Sequence, residues 1–568
     1  MNIQEQFKRW LCLATEDDAV AEELRSLAEK NDAAGIEDRF YRELEFGTGG
    51  LRGVLGAGSN RMNIYTVRKA TQGLADYLSK QTECAAVAIA HDSRINSQRF
   101  ARETAAVLAG NGIEVYLYPE LMPTPALSFA VRRFGCTAGV CVTASHNPAK
   151  YNGYKVYGSD GCQITLNAAQ EILSEISKVD TFDGVRRIPF EEGVNKNLIH
   201  WIGAADVQAF LDAVWAQRVG EEDCQSLSVV YTPLNGAGRY CVTEILKRLH
   251  IGNVTLVPEQ ENPDGNFPTC PYPNPEIREA LQKGLALCET VKPDLLLATD
   301  PDCDRVGIAV RHQGEYVLLS GNEVGVLLLD YIIKTREKNG TMPKNPVVVK
   351  TIVTTDMAQE IAEKHGIQMR NMLTGFKFIG EQIGRLESDG ESGRYLFGFE
   401  ESYGYLSGTH VRDKDAVNAS MLICQMAGAY KKEGKTLYEA LEELYQEYGT
   451  YQNRLLTFTF EGAAGMRRMN EIMDTLRRTP KEEIGGLAVA RVNDYLSPDS
   501  MDPGKNAGIR LPKSNVLEYL LQGGAKLIIR PSGTEPKIKI YVSCKAPSLN
   551  EAKRLCDKLE TASKALFE

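Results

Sequence analysis

The segment Asp300-Pro-Asp302-Cys-Asp304 places three carboxylates at alternate positions directly after an apolar run. Alternate side chains of an extended segment point the same way, so these carboxylates can converge on one hard cation. A calcium loop of the EF-hand type needs glycine and glutamate where Arg305 and Arg311 stand, which excludes that loop. Mg²⁺ fits better, because few protein carboxylates hold it and it borrows phosphate oxygens. A solvated acidic turn is the alternative interpretation.

Ser145 lies in the sequence Thr-Ala-Ser-His-Asn-Pro, where the predicted strand 138–143 ends. Ligands of open parallel sheets bind at the carboxyl ends of strands, so this hydroxyl is a candidate nucleophile. The Gly-x-Ser-x-Gly turn of many acyl-transfer hydrolases is missing around Ser145, which argues against that class of enzyme. A serine that only supports a loop is the alternative.

Two further loops could grip a phosphate group. Arg530-Pro-Ser-Gly-Thr-Glu-Pro-Lys537 combines a guanidinium, two hydroxyls, an ammonium and a glycine backbone, and the glycine loop 47–53 carries Arg52. Arginine binds phosphate through two parallel hydrogen bonds, and lysine adds a compact charge. Neither loop is a P-loop, because Gly-Lys-Ser/Thr is missing from both. A plain hairpin turn is the alternative for the first loop. With the nucleophile and the metal loop, these grips indicate phosphoryl transfer.

The elements that must position these loops follow an α/β pattern. An apolar strand that runs into a polar loop recurs in three successive rounds, after a helical segment over 1–45. The predicted strands of the three rounds are 85–90, 113–117, 138–143, 227–231, 294–298, 306–310, 346–350 and 394–398, and the predicted helices are 98–108, 240–249 and 355–364. The last hundred residues predict a smaller α+β domain after a linker at 448–453, with strand 455–460, helix 465–479 and hairpin 526–542.

Composition limits the class of protein. The chain has 568 residues, which predicts three to five domains, and a net charge of −10, which argues against nucleic acid or an anionic membrane as partner. Its thirteen cysteines contain no C-x-x-C pair, as expected of reduced thiols in the cytoplasm. The beginning of the chain has no signal-peptide pattern, and the longest apolar run, near 326–333, includes Asp330 and is too short for a membrane span. We therefore expect a cytoplasmic, multidomain enzyme.

Four motifs, around Ser145, Asp300, Glu400 and Arg530, stand in the order and spacing of the α-D-phosphohexomutases, and the chain closely resembles the longer bacterial phosphoglucomutase/phosphomannomutase members. The resemblance spans almost the whole chain. It implies three similar mixed-sheet α/β domains and a smaller C-terminal α+β domain around a central cleft. The domains would be 1–205 with the phosphoserine loop, 206–320 with the metal loop, 321–450 with the sugar loop and 451–568 with the phosphate loop.

The resemblance also implies roles for single residues. Ser145 would be carried as phosphoserine, and one of its oxygens would join Asp300, Asp302 and Asp304 around Mg²⁺. Catalytic positions near the transferring phosphoryl group would be Arg52, His146 and Lys155, with Lys155 as candidate general acid or base. Positions matching substrate contacts are Arg305, Lys377, Glu400, Ser402, Lys414, Arg530, Ser532, Gly533 and Thr534.

The sugar motif Gly-Phe-Glu-Glu-Ser-Tyr-Gly favours glucose. It departs from the Gly-Glu-Met-Ser-Gly-His form of the dual mannose/glucose enzymes, with Tyr403 and Gly404 where that form has glycine and histidine. His410 or Lys414 could take over the role of that histidine.

The expected activity is the reversible interconversion of glucose 1-phosphate and glucose 6-phosphate, with glucose 1,6-bisphosphate as intermediate and activator and with Mg²⁺. The expected partners are sugar phosphates, without nucleic acid or membrane, and the chain would be a monomer or homodimer. Alternatives are a phosphomannomutase or phosphopentomutase on the same fold, a metal-dependent sugar-phosphate phosphatase, and a non-catalytic sugar-phosphate sensor.

Overall fold

A computed structural model describes residues 2–46, 50–220, 224–460, 462–497, 511–532 and 537–567. Within these ranges the helices alternate with strands that form mixed or antiparallel sheets. The described helices all fall short of the length and apolarity that a membrane span requires.

The described part of the chain contains eighteen α-helices. The α-helices are α1 (Ile3–Leu13), α2 (Asp18–Glu29), α3 (Ala33–Phe40), α4 (Ile64–Leu78), α5 (Ser97–Gly110), α6 (Thr124–Arg133), α7 (Leu166–Ile176), α8 (Phe190–Asn195), α9 (Ala204–Trp215), α10 (Gly238–Arg248), α11 (Gln282–Val291), α12 (Gly321–Lys338), α13 (Met357–Lys364), α14 (Phe376–Ser388), α15 (Ala416–Lys432), α16 (Leu437–Tyr448), α17 (Gly462–Arg478) and α18 (Leu549–Lys564). Single 3₁₀ turns lie at Arg278–Leu281, Ser392–Arg394 and Gln522–Gly524.

The strands are β1 (Gly50–Val54), β2 (Ala86–His91), β3 (Glu114–Leu117), β4 (Ala138–Val142), β5 (Tyr151–Gly158), β6 (Ile199–Trp201), β7 (Ser228–Thr232), β8 (Asn253–Leu256), β9 (Leu295–Thr299), β10 (Val306–His312), β11 (Glu315–Leu319), β12 (Val347–Thr351), β13 (Gln368–Met372), β14 (Tyr395–Glu400), β15 (Gly404–Leu406), β16 (Thr450–Thr459), β17 (Glu483–Ile484), β18 (Leu487–Asp494), β19 (Leu517–Leu521), β20 (Lys526–Pro531) and β21 (Lys537–Ala546).

The first sheet has the order β1-β5-β4-β2-β3-β6. Its strands β4, β2, β3 and β6 are parallel, β5 pairs antiparallel with β4, and β1 pairs antiparallel with β5. The parallel strands β2 and β4 are almost wholly buried, as expected of strands that helices cover on both faces. The amino-terminal helices belong to the same core, where the Trp10 ring meets the Phe40 ring edge-on with centroids 5.8 Å apart.

The second sheet has the order β11-β10-β9-β7-β8, with β8, β7 and β9 parallel and β10 and β11 antiparallel. In the next round of the chain, β12 lies between β13 and β14 and is parallel to both. These arrangements confirm the predicted fold class of three mixed α/β segments.

The C-terminal sheet has the order β16-β21-β20-β19-β18-β17 and is antiparallel throughout. One of its faces packs Leu527, Ile529 and Ile540 against α17 and α18. Since successive side chains of a strand alternate between faces, Ile528 and Arg530 lie on the other face. The smaller α+β segment predicted at the C-terminal end is confirmed.

The chain divides into two compact units. Unit 1 comprises Met1–Leu319, Gly380–Ser392 and Gly404–Ala429, and unit 2 comprises Ser320–Ile379, Gly393–Tyr403 and Tyr430–Glu568. The four domain boundaries expected from the sequence stay predictions.

Two local predictions are wrong. The predicted linker 448–453 is the end of α16 and the beginning of β16, joined by Gly449 with a φ of 87°. A glycine and polar residues there imitate a linker, yet β16 pairs with β21 over its full length. Arg52 lies on strand β1 rather than on a glycine loop, since Gly50 already pairs with Lys155. Residues 47–49 of the predicted glycine loop lie outside the described residues.

Candidate active site

Ser145 lies in a tight turn just after β4. Its φ is 52°, in the left-handed region that costs a non-glycine residue free energy and that clusters at functional sites. The Ser145 N–H donates to Oγ1 of Thr143 over 2.8 Å, and that hydroxyl donates to Oδ2 of Asp92 over 2.6 Å. The Ser145 side chain is buried, and its Oγ donates to Oδ2 of Asp300 over 2.9 Å. The turn therefore aims the predicted nucleophile at the predicted metal loop.

The acidic loop follows β9 and folds around the first of its three carboxylates. Oδ1 of Asp300 accepts the N–H groups of Asp304 and Arg305 over 3.1 and 3.0 Å. Burial, together with the Asp302 and Asp304 carboxylates, raises the pKa of the Asp300 carboxyl well above its ordinary value. Oxygen atoms of the three aspartates lie within 4.8 Å of one another, and all three side chains are buried. The convergence expected from alternate spacing is present.

Two lysines reach this loop. Nζ of Lys155, on β5, lies 2.8 Å from Oδ2 of Asp302 and 3.6 Å from Oδ2 of Asp304. Nζ of Lys414 lies 3.0 Å from Asp304 and 3.0 Å from Asp413. Burial opposes the charge of Lys155, but the aspartates prevail and raise the pKa of its ammonium. Burial likewise favours neutral Asp302, but Lys155 holds the pKa of that carboxyl well below its usual range.

The carboxylate trio keeps oxygen atoms available for a metal ion. Oδ1 of Asp302 and Oδ1 of Asp304 are buried, and no hydrogen-bond donor reaches either atom from the part of the chain that the structure describes. A buried carboxylate oxygen without a donor is costly, unless a cation binds it. Buried oxygen ligands in a converging group suit a hard divalent cation such as Mg²⁺. The donor set therefore fits a metal site.

His146 and Arg305 border the same cluster. Nδ1 of His146 lies 3.2 Å from the Ser145 Oγ. Burial and then the charges of Arg305 and Arg52 lower the pKa of this imidazole well below its ordinary value, which favours its neutral form. Arg305 lies 2.6 Å from Glu276, and Nη1 of Arg52 donates to Oδ1 of Asn147 over 3.4 Å. Unit 1 thus brings Ser145, His146, Lys155, Asp300, Asp302, Asp304, Arg305 and Lys414 together, with Arg52 at the rim of the serine loop.

Arg94 was not foreseen from the sequence, although it supports the nucleophile loop. Its buried guanidinium donates to the carbonyl oxygens of Ser145 (2.5 Å), Asn147, Pro148 (3.0 Å) and Tyr151 (3.0 Å). Its Nε lies 3.3 Å from Asp92, which also accepts the hydroxyl of Thr143. The signal for it was Asp-Ser-Arg directly after β2, a polar segment at a strand end like those that carry Ser145 and Asp300.

Thr124, at the beginning of α6, was also missed. Its N–H donates to the carbonyl oxygen of Asp302 over 2.8 Å, and its hydroxyl donates to Oδ2 of Asp302 over 3.0 Å. The metal loop is therefore held from the first sheet's helices as well as by its own turn. A threonine at a helix start is so common that the sequence carried no signal for this contact.

The predicted sugar contacts lie in unit 2. Glu400 is the last residue of β14, is buried, and accepts the N–H of Gly375 over 2.9 Å. Lys377, two residues further along, lies over the Phe378 ring at 5.5 Å from its centroid. Ser402 is half-buried in the turn after β14. Gly375 has a φ of 121°, which lets this loop approach the Glu400 carboxylate.

The predicted phosphate grip begins on β20, also in unit 2. Arg530 is half-buried, and its positive charge lies near the Tyr541 hydroxyl of β21, where it opposes the rise in the pKa of that hydroxyl caused by burial. Ser532 donates its N–H to the carbonyl oxygen of Lys537 over 2.7 Å, which closes the predicted hairpin. Gly533 and Thr534 lie outside the described residues, so their predicted contacts stay predictions.

The fold and the site define the class of protein. Family models described as phosphoglucomutase/phosphomannomutase match in chain order: alpha/beta/alpha domain I at 43–183, domain II at 208–314, domain III at 320–448 and the C-terminal domain at 476–562. Three mixed α/β segments and an antiparallel C-terminal sheet agree with this order. The protein is a member of the α-D-phosphohexomutase superfamily, as the motifs predicted.

Two similar proteins show to which family of this superfamily the chain belongs. A phosphoglucomutase of Staphylococcus aureus (strain NCTC 8325 / PS 47) is 38% identical over 524 residues, covering 91% of this chain and 92% of its own. A phosphoglucomutase of Staphylococcus haemolyticus (strain JCSC1435) is 37% identical, covering 89% and 91%. The chain belongs to the phosphoglucomutase/phosphomannomutase family.

Solved structures share the fold. The open form of parafusin, a phosphoglucomutase from Paramecium, matches with a TM-score of 0.70 at 18% identity, covering 93% of this chain and 96% of its own. A phosphoglucomutase/phosphomannomutase family protein from Burkholderia thailandensis matches with a TM-score of 0.67 at 18% identity, covering 92% and 97%. At this identity the likeness concerns the fold alone.

Proposed function

We propose that this chain interconverts α-D-glucose 1-phosphate and glucose 6-phosphate through a phosphorylated Ser145 and a glucose 1,6-bisphosphate intermediate. The observation that carries the proposal is the 2.9 Å contact of the Ser145 Oγ with Asp300 in a buried trio of carboxylates. A hydroxyl beside a hard-metal site is an arrangement for phosphoryl transfer. The phosphoglucomutase relatives, similar over nine-tenths of the chain, support glucose phosphates as substrates.

Asp300, Asp302 and Asp304 would hold Mg²⁺ together with an oxygen of Ser145. Bound there, Mg²⁺ would screen the negative charge of the phosphoryl group and so ease attack by a hydroxyl. The chain's own cations add to this, since Arg52, Arg305 and Lys414 surround the serine and the acidic loop. Phosphate-monoester reactions need rate enhancements of up to about 10²¹-fold, near 29 kcal/mol, so several charges must share the work.

The reaction has two half-reactions of the same kind. In the first, the free sugar hydroxyl attacks phosphorus, the bond from phosphorus to the Ser145 Oγ breaks, and a proton passes from the sugar to Ser145. In the second, the bisphosphate has turned around, and the Ser145 Oγ attacks its other phosphorus. The bond to the sugar oxygen breaks, and the proton returns to the sugar.

Two residues are placed to handle this proton. Neutral His146, with Nδ1 3.2 Å from the Ser145 Oγ, can accept the serine proton when Ser145 attacks. Lys155 has a raised pKa, which favours its ammonium form and suits stabilisation of the negative charge on the transferring phosphoryl group. The role of Lys155 as general acid or base stays a prediction.

Unit 2 would bind the part of the substrate that does not react. We assign the sugar hydroxyls to Glu400 and Ser402, and the distal phosphate to Arg530 and Ser532, with Lys377 as an adjoining cation. Arg530 is half-buried and lies near the Tyr541 hydroxyl. Gly533 and Thr534 complete the predicted grip.

One coupled assay tests the function. Glucose 1-phosphate with Mg²⁺ and trace glucose 1,6-bisphosphate should yield glucose 6-phosphate, and mannose 1-phosphate and ribose 1-phosphate should react at least tenfold more slowly. Release of inorganic phosphate without any need for bisphosphate would show a phosphatase instead. Faster turnover of mannose or ribose phosphate would overturn the glucose assignment, and binding without turnover would show a sensor.

We place the enzyme in the cytoplasm and its partners among small sugar phosphates. All thirteen cysteines are free thiols, and most are buried, which suits a reducing compartment. Burial raises the pKa of the Cys141 and Cys303 thiols beside the site, which supports their prediction as packing residues. A monomeric or homodimeric state stays a prediction.

A further inference from the structure

A second buried cluster of charges lies in unit 2, outside the residues assigned to catalysis. One carboxylate, Asp356, is shared by two lysines: its Oδ1 lies 3.0 Å from Nζ of Lys350 and its Oδ2 lies 2.8 Å from Nζ of Lys526. Both lysine side chains are almost wholly buried, whereas that of Asp356 keeps 36% of its exposure. Lysines are rarely buried unless paired, so this arrangement requires Asp356.

The two lysines come from segments that carry different parts of the proposed substrate site. Lys350 lies on β12 and pairs in register with Phe399, the residue before Glu400. Lys526 begins β20, the strand on which Arg530 follows four residues later. The cluster therefore joins the strand beside the sugar loop to the strand of the phosphate grip.

The segment between Lys350 and Asp356 also touches the sugar loop directly. The hydroxyls of Thr351 and Thr354 each donate to Oε2 of Glu401 over 3.4 Å. At its other side, the Lys526 ammonium donates to the carbonyl oxygen of Ile352 over 3.2 Å. One short segment thus holds both the residue next to Glu400 and the beginning of β20.

The geometry of strand β20 connects Lys526 with Arg530 of the phosphate grip. Side chains at i, i+2 and i+4 of a strand share a face, so Lys526, Ile528 and Arg530 point to the same side of the C-terminal sheet. Ile528 is fully buried but does not belong to the core formed with α17 and α18. Tyr541 pairs in register with Ile528 and therefore lies on this face as well. Movement of Lys526 would therefore tilt the row that ends in Arg530.

We infer that Asp356 is a positioning residue that sets the phosphate grip of β20 against the sugar loop of β14 by holding Lys350 and Lys526 together. The inference rests on the proposed function of that site. Asp356 makes none of the assigned substrate contacts; it acts through Lys526 on Arg530 and through its own segment on the loop after Glu400. Its loss should weaken substrate binding and leave the chemistry at Ser145 in place.

The chain offers a control on α13, the helix that begins directly after Asp356. Glu360 of α13 binds Nζ of Lys545 over 2.6 and 2.8 Å, so it too joins this part of the chain to the C-terminal sheet. Lys545 lies six residues beyond Lys539, the register partner of Arg530, which is about 20 Å along an extended strand. Glu360→Gln therefore removes a more exposed ion pair to the same sheet, far from the grip.

The experiment compares KM and kcat for glucose 1-phosphate in the native enzyme, Asp356→Asn, Asp356→Glu and Glu360→Gln. We expect KM to rise about tenfold in Asp356→Asn, with kcat and the Mg²⁺ requirement within threefold of native. KM should recover at least partly in Asp356→Glu and stay within twofold in Glu360→Gln. If Asp356→Asn does not fold, Lys526→Met, which leaves the Lys350–Asp356 pair intact, takes its place with the same expected rise.

Failure of the inference is distinct from failure of the function. A native enzyme without mutase activity would overturn the proposed function, whereas an active native enzyme provides the reference for the variants. The inference is overturned if KM in Asp356→Asn, or in its replacement, stays within twofold of Glu360→Gln. It is also overturned if kcat alone falls, because a positioning defect at the grip acts on binding.

Discussion

Each unit contains one cluster of lysines and aspartates, and the two clusters differ in how their carboxylate oxygens are paired. In unit 1, Asp300, Asp302 and Asp304 face the ammonium groups of Lys155 and Lys414, and two carboxylate oxygens keep no donor among the described residues. In unit 2, each oxygen of the Asp356 carboxylate binds one of the ammonium groups of Lys350 and Lys526, and the buried Glu518 carboxylate attracts both lysines from further away. The carboxylate oxygens without a donor in unit 1 leave a place for a metal cation, whereas both oxygens of Asp356 are already bound to lysine.

The same residue types serve different purposes in the two units. Removing one partner of a buried ion pair costs about 3–5 kcal/mol because the other charge is left unpaired, so each cluster depends on all of its members. Only the acid-rich cluster lies beside a hydroxyl that can carry a phosphoryl group. The lysine-rich cluster lies next to the strands that carry the predicted sugar contact Glu400 and the predicted phosphate contact Arg530. We therefore expect variants in unit 1 to lower kcat and variants in unit 2 to raise KM.

The largest effect is expected at Ser145. Ser145→Ala removes the only acceptor oxygen of the proposed cycle and should lower kcat on the order of 10⁴-fold or more. Labelling by ³²P-glucose 1,6-bisphosphate should vanish, measured on the intact protein after gel separation. Ser420→Ala, at a buried serine of α15, is the control and should label normally. Undiminished labelling of Ser145→Ala would refute the assignment.

Asp302→Asn should lower Mg²⁺-dependent kcat about 10³-fold, the upper range for loss of one preorganised electrostatic contact. The physical reason is that the amide cannot offer the anionic oxygen that now lacks a donor. Titration of the rate with Mg²⁺ measures the effect. Asp330→Asn is the matched control, since Asp330 is equally buried but pairs with Lys334 over 2.8 Å on α12. A near-normal rate of Asp302→Asn at ordinary Mg²⁺ would sink the metal role.

Arg94→Lys should lower kcat about 10²-fold while KM stays within threefold, because an ammonium cannot bridge four carbonyl groups and the Ser145 turn loosens. Steady-state kinetics with glucose 1-phosphate separate the two constants. Arg68→Lys, at a buried arginine of α4 that binds Glu103, serves as control. If both variants lose activity equally, Arg94 has no special place at the nucleophile.

Arg530→Ala should raise KM about 30-fold and change kcat little, since a charge-assisted hydrogen bond to phosphate contributes about 2 kcal/mol. KM for glucose 1-phosphate is the measurement. Arg454→Ala removes an arginine of the same sheet that binds Asp557 and should leave KM unchanged. An unchanged KM in Arg530→Ala contradicts the phosphate grip.

The smallest effect concerns stability in the lysine-rich cluster. Burial lowers the pKa of Lys350 to about 8, below its ordinary value of 10.5. Between these values the unfolded chain binds more protons than the folded one, so native stability should rise with pH relative to Lys350→Met. We expect on the order of 1–2 kcal/mol between pH 7 and 9.5, measured by urea unfolding. A difference that does not depend on pH would show that Lys350 titrates normally.

The sequence predicted the acid-rich cluster better than the lysine-rich one. Three aspartates at alternate positions and a serine at a strand end are local patterns, and the convergence expected of the aspartates is present. The burial of Ser145 was not predicted. Lys350 and Lys526 stand in ordinary apolar strands without a motif. Both lysines contact Asp356 because β20 packs against the segment after β12. The spacing of residues along the chain does not predict this packing.

Errors in the fold have a similar origin. The strands β1 and β5, which carry Arg52 and Lys155, were not foreseen, because glycine and asparagine weaken the strand pattern. Pairing of β5 with β4 on one side and β1 on the other overrides these propensities. The prediction of a linker at 448–453 is wrong for the same reason, since pairing with β21 holds the segment from residue 450 onwards as strand β16.

By itself the sequence determined the alternation of strands and helices, the polar loops at strand ends, and the family to which the chain belongs. Hydrophobic period and motif order are local properties, so they can be read along the chain. The tertiary structure alone decided which carboxylate oxygens keep no donor, that Arg94 ties four carbonyl groups of the serine loop, and that Asp356 holds two lysines. Such pairings are set by burial and distance between segments far apart in the chain, where the energetic cost of an unmatched charge is largest.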